Sequence, residues 1–142
     1  MAVFVSDYNH ITGSILNAAI EVHDDLGVGM LESSYLPCLE YELEMRGLRY
    51  ERQRAVPLRY KSLTLNQSYR IDLIVEGVVV VEVKSVATLL TVHEAQLLTY
   101  MRLANCPVGL LINFNVPRLM DGVQRKVNAR YKAPTSTEPS RS

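Results

Sequence analysis

The sequence predicts an α/β (α+β) fold: a central mixed β-sheet of four to five strands flanked by helices, in the order ααββββαβ. Three observations carry this. Ile11, Ile15, Ala18, Val22 and Leu26 recur at helical spacing. Residues 48–84 carry strand composition nearly throughout. A helical stretch then leads into "PVGLLINFN", apolar enough to be a central strand.

The elements follow in order. Residues 8–26 form an amphipathic helix, stopped at Gly27. "GVGM" is a short loop. A second helix runs from about Leu31 to Arg46 with Leu36, Leu39 and Leu43 inward and Gly47 as its cap. Pro37 removes one helical hydrogen bond, so this helix either begins near Ser33 or Ser34 or kinks. "LRYERQRAVPLRY" holds one strand, a break at Pro57 and a second strand. "SYRIDLIVEG" and "VVVVEVKS" are two more, joined by a tight hairpin at Glu76-Gly77. "TVHEAQLLTYMRLAN" is a helix with Val92, Ala95, Leu98 or Tyr100, and Leu103 along one side. After Arg118 there is room for a short strand or helix.

The 142 residues suit one domain over residues 1–132, and the Pro/Ser/Thr-rich tail 133–142 has the composition of a disordered segment. No apolar run approaches the roughly 20 residues of a membrane span, and the N-terminus lacks the basic region of a signal peptide. Cys38 and Cys106 stand alone and are expected as buried, reduced thiols, so a cytoplasmic location is expected. The net charge is zero but segregated: residues 1–45 hold eight acids and no Lys or Arg, while the rest holds seven acids and all fifteen bases. Such a map is compatible with a phosphate-binding face, with a dipolar surface or with a charge-complementary dimer.

"VVVVEVKS", residues 78–85, raises the chemical question. It is the most apolar strand of the chain, yet Glu82 and Lys84 lie two apart and therefore on one face. With the hairpin near Gly77, Asp72 falls within a residue of lying across from Glu82. Two acids in an apolar sheet either take up a proton or hold a cation, and carboxylate oxygens with water suit Mg²⁺ or Mn²⁺. A structural Glu–Lys ion pair at a strand end accounts for the same spacing. Two further features add to it: Gly29, Glu32 and Tyr35 at spacing three in "GMLESSY", and Gln96 and Tyr100 four apart on one helical face. His10, His23 and His93 have no zinc spacing and suit packing or surface roles. Asn113 interrupts an apolar strand and suits local backbone satisfaction.

"GMLESSY", with "YRIDLIVEG", "VVVVEVKS", "HEAQLLTYMRLAN" and "VGLLINFN" in order, resembles the GxxExxY proteins of the PD-(D/E)XK nuclease superfamily, on the side related to RecB and lambda exonuclease. The resemblance spans nearly the whole chain apart from the tail. It implies a restriction-endonuclease-like core and a divalent metal held by Asp72, Glu82, the Val83 backbone carbonyl and Glu32. It implies Lys84 as the lysine that works with the attacking water, and Gln96 and Tyr100 as positioning groups. The superfamily's proline is absent, Ile71 preceding Asp72. The implied activity is metal-dependent phosphodiester hydrolysis of nucleic acid, DNA ahead of RNA, with Arg46, Arg49, Arg52, Arg54, Arg59 and Lys61 available to the phosphate backbone. The alternatives are a non-catalytic module that binds nucleic acid or protein on the same scaffold, and an oligomeric scaffold with a structural Glu–Lys pair.

Overall fold

In the computed structural model residues 8–134 are described. Helix α1, Asn9–Leu26, and helix α2, Glu32–Met45, are followed by strands β1, Tyr50–Tyr60, β2, Leu63–Val75, and β3, Val79–Lys84. Helix α3, Thr91–Leu103, crosses to β4, Val108–Asn113; a 3₁₀ turn, Leu119–Gly122, then leads into β5, Val123–Val127. The five strands lie in the order β1-β2-β3-β4-β5, antiparallel except for the parallel β3/β4 pair that the α3 crossover creates. No helix among the described residues is long and apolar enough to cross a membrane.

The mixed, helix-flanked sheet is the expected architecture, and both helices of the N-terminal pair bury the expected faces. Ile11, Ile15, Ala18 and Val22 of α1 and Leu36, Leu39 and Leu43 of α2 pack on one side of the sheet against Leu73, Val75, Val79, Val81, Val83, Leu110 and Ile112. On the other side Leu97, Tyr100 and Met101 of α3 meet Val56, Ile71, Ile74, Val80 and Leu111. Helix α2 continues through Pro37, whose ring is exposed. Gly47 closes α2 as expected: its amide donates to Glu44 and that of Leu48 to Leu43.

Three local expectations change. Strand β1 does not break at Pro57. It runs on, and the missing amide is absorbed by a register shift in which Val56 faces Tyr69 while Leu58 faces Leu65. Three strands thus precede α3, and the last one follows Arg118. The buried stripe of α3 is Leu97, Tyr100 and Met101, while Val92 and Leu98 are exposed. Apolar residues occupy two sides of this helix, and the position of β4 decides which one is buried. Cys106 is buried and its thiol is pushed up to about 11 by that burial, but Cys38 is only half-buried. The tail expectation falls, from residue 135 on, outside the described residues.

Candidate functional site

The site begins with the hairpin between β2 and β3. Glu76 and Gly77 both have positive φ, 53° and 72°, the backbone of a tight turn that matches the twist of the strands. With Val78 they make a three-residue connection, and the pairing beyond it is Val75↔Val79, Ile74↔Val80 and Leu73↔Val81. Along β3, Val79, Val81 and Val83 face α1 and α2, so Glu82 and Lys84 share the α3 face with Val80.

One residue past Leu73↔Val81 the backbone ladder stops and side chains take over. The Asp72 amide donates to Glu82 Oε2 at 2.9 Å, and the Val83 amide donates to Asp72 Oδ2 at 2.9 Å. Each acid accepts a hydrogen bond from the other's strand. Each keeps a second oxygen without a hydrogen-bond partner among the described residues. Asp72 thus lies across from Glu82, as the count through the turn requires.

Burial dominates the electrostatics. Glu82, 4 % exposed, is pushed up to about 8, first by desolvation and then by the charge of Asp72; the Asp72 amide and Lys84 oppose this. Asp72 is raised as well, again chiefly by burial, against the pull of the Val83 amide and Lys84. Two adjacent carboxyls that resist ionisation call for a proton or a cation. Lys84 Nζ donates to Gln96 Oε1 across 3.5 Å, a long contact. Tyr100, one helical turn after Gln96, is buried, and its phenol is raised by that burial and then by the charges of Glu82 and Asp72. The structure thus brings Asp72, Glu82, Lys84, Gln96 and Tyr100 to one end of the sheet. Val83 is buried on the opposite face, so only its backbone is available to the site.

Glu32 reaches the same end by a different device. The loop before α2 turns at Gly29, φ 91°, a conformation that side-chain-bearing residues rarely adopt. Tyr35, fully buried, stacks on Phe114 with ring centroids 4.5 Å apart. Its hydroxyl donates to the Gly27 carbonyl at 2.5 Å and accepts the Met30 amide at 3.2 Å. The spacing Gly29–Glu32–Tyr35 is therefore a turn, a first helical residue and an anchor one helical turn later. Glu32 Oε2 accepts the Ser85 amide at 3.3 Å, and Ser85 Oγ donates to the Met30 carbonyl at 2.7 Å. An open groove of about 430 Å³ lies here, lined by Met30, Leu31, Glu32, Ser33 and Ser85. Tyr35→Phe leaves the Gly27 carbonyl and the Met30 amide without their partner. It should cost about 1–3 kcal/mol in chemical denaturation with little change in m-value.

The residues suit a divalent cation in part. Oxygen donors of the right chemistry stand at Asp72 and Glu82, and Glu32 is near enough to raise both pKa values. Among the described residues, however, no three His, Cys, Asp or Glu side chains form a group able to hold an ion. Glu32 stands beside the acid pair, engaged with Ser85. Ser85 was not singled out from sequence; its signal was only its place directly after the Glu–x–Lys strand.

The remaining candidates sort by their partners. Asn113, 2 % exposed, accepts the Val86 and Asn115 amides and donates to the Val86 carbonyl, which holds the chain leaving β3. His23 is buried against the Val116 carbonyl at 2.7 Å, and His93 Nδ1 accepts the Leu90 amide at the start of α3. Both histidines are structural in this sense. Of the six cations expected to meet phosphate, four have acids beside them: Arg46 with Glu42, Arg49 with Glu76, Arg52 with Glu40 and Arg54 with Glu51. Arg59 and Lys61 have no acid partner among the described residues.

No curated protein and no solved structure was found to match the chain. A family model described as the PD-(D/E)XK nuclease superfamily matches residues 9–126, from the start of α1 almost to the end of β5. That span contains every element of the sheet that presents the acid pair and Lys84, and the chain belongs to the PD-(D/E)XK nuclease superfamily.

Proposed function

We propose that the protein is a divalent-metal-dependent nuclease that hydrolyses phosphodiester bonds, with DNA ahead of RNA as substrate and Mg²⁺ or Mn²⁺ as the ion. The observation that supports this best is the reciprocal pair Asp72 and Glu82. Glu82 is buried, Asp72 is half-buried and both are pushed toward protonation, each with one oxygen held by an amide and the other free to ligate. When bound there, a divalent ion would lower the pKa of a coordinated water and offset charge on the phosphate. Asp72 and Glu82 would hold it, with the Val83 carbonyl and Glu32 as further oxygen donors.

Lys84 extends from the same strand face, close enough to favour ionised Asp72 and Glu82. It is placed to orient the attacking water and to stabilise charge on the phosphoryl oxygens. Gln96 offers the Lys84 ammonium an acceptor from the neighbouring helix, at 3.5 Å. Tyr100 keeps its phenolic proton, since its pKa is raised, and so remains a hydrogen-bond donor at the site. Gly29, Glu32 and Tyr35, with Gln96 and Tyr100, further support reading the chain as a GxxExxY protein on the RecB and lambda-exonuclease side of the superfamily.

Calorimetric titration of the full chain with MgCl₂ or MnCl₂ tests the ion directly. Binding should release protons, so the observed heat should change with the ionisation enthalpy of the buffer. Absence of any divalent binding in a folded sample would sink the reading. Cleavage should then be measured across single- and double-stranded DNA and RNA.

A further inference from the structure

The ladder between β2 and β3 ends at Leu73, but β2 continues to Leu63 and, among the described residues, pairs there only with β1. The two strands therefore project beyond the end of the sheet that carries the acid pair, by about 20 Å at ~3.3 Å per residue. A free two-stranded ribbon is marginal in water and usually carries polar side chains. This one does not. Tyr69, opposite Val56, takes the sheet face that packs on α3, and is 43 % exposed. Tyr60 and Leu63, opposite each other near the tip, are 60 % and 53 % exposed.

The charge on the ribbon is one-sided. Residues 54–71 include Arg54, Arg59, Lys61 and Arg70 and no Asp or Glu. Among the described residues only Arg54 of these has an acid beside it, Glu51. Cations directly flank both aromatics, as Arg59-Tyr60-Lys61 and Tyr69-Arg70, and the Lys61 ammonium lies 5.3 Å from the Tyr60 ring. Tyr69 is near enough to the site to act electrostatically on Tyr100. Aromatic faces among cations with no acid partner among the described residues match a polymer with flat apolar rings and regularly spaced negative charge.

We propose that the β1–β2 arm grips single-stranded nucleic acid, with bases stacked on Tyr69 and Tyr60 and phosphates met by Arg59, Lys61 and Arg70. The strand would then run from the tip toward the acid pair. A base in a duplex has its faces covered, so stacking makes the arm selective for unpaired strand. This rests on nucleic acid being the ligand of the site, but it does not require turnover.

The test is fluorescence anisotropy of the full chain, with EDTA present, on labelled oligo(dT) and on a duplex of equal length. Wild type should prefer the single strand. Tyr60→Ala with Tyr69→Ala should weaken that binding by about tenfold or more and leave the duplex nearly unchanged. Arg59→Ala with Lys61→Ala should weaken both and lower the salt slope by about one for each lost contact. Both pairs are exposed, and circular dichroism checks that the variants stay folded. Equal loss on single strand and duplex in the tyrosine variant would overturn the proposal. So would unchanged oligonucleotide affinity accompanied by loss of a dimer in sedimentation, which would make the stripe a contact between copies. Tyrosine-dependent binding in a protein that never cleaves would uphold the arm while refuting the nuclease reading.

Discussion

Lys84→Ala should lose divalent-dependent cleavage by about 10²–10⁴-fold, the range for a positioned proton-transfer or charge-stabilising group. The same variant should stay folded, because Lys84 is half-buried and its only side-chain hydrogen bond among the described residues is the 3.5 Å contact to Gln96. Divalent affinity should be unchanged or tighter. A positive charge beside a cation site opposes binding, and its removal leaves both carboxylates in place. The combination matters more than the loss of activity. A merely structural Lys84 would lower the melting temperature and cation binding together with cleavage. Undiminished cleavage by purified Lys84→Ala would mean that the activity belongs to a contaminant and that Lys84 has no catalytic role. Lys84→Arg keeps the charge but replaces the compact ammonium with a planar fork, and should recover little.

The second large effect is on stability and its pH dependence in the metal-free protein. The folded-state pKa of Glu82 is about 8, above its ordinary value of 4.5, so between these values the folded protein binds a proton that the unfolded chain has released. Stability therefore falls as pH rises through that window. The contribution is complete below the ordinary carboxylate value and is lost as pH passes about 8. Asp72 is raised too and acts in the same direction. Glu82→Gln cannot ionise, so its stability should stay flatter with pH. It should match wild type in mild acid and exceed it in mild base by on the order of 2–4 kcal/mol in urea unfolding. Saturating Mg²⁺ should narrow that gap by stabilising wild type more than Glu82→Gln. Parallel pH profiles for the two proteins would show that the acids are not desolvated together as their burial requires.

The acid pair was legible in the sequence because a hairpin is a counting device. With the turn centred on Gly77, Asp72 and Glu82 are equidistant from it, and alternation places Lys84 on the same face as Glu82. Glu32, Gln96 and Tyr100 were legible only in combination. Each has an ordinary helical explanation, and it is the fold that carries them to one end of the sheet. The inward side of α3 was misjudged because Val92 and Leu98 compete with Leu97 and Met101, and periodicity does not weigh one apolar side against another. The continuity of β1 through Pro57 was hidden because a bulge in a partner strand leaves no local mark. The basic cluster looked stronger than it is. Glu40 in α2 and Glu76 in the hairpin turn, which pair with Arg52 and Arg49, meet them only in the folded protein. The arm was missed for a related reason: where β2 outruns β3 is a property of pairing, not of composition.

The short connection Glu76-Gly77-Val78 lies at the opposite end of the hairpin from the acid pair, yet it acts as a gauge for the site. One added residue there would slip β2 against β3 and turn Asp72 to the face occupied by Leu73. The acids would part, and each would lose the amide it now borrows from the other strand. Loops elsewhere, such as the one between α3 and β4, carry no such calibration. Length variation among relatives should therefore be tolerated at most connections and excluded at this one, so that a short, chemically silent turn is under the same constraint as the carboxylates it aligns.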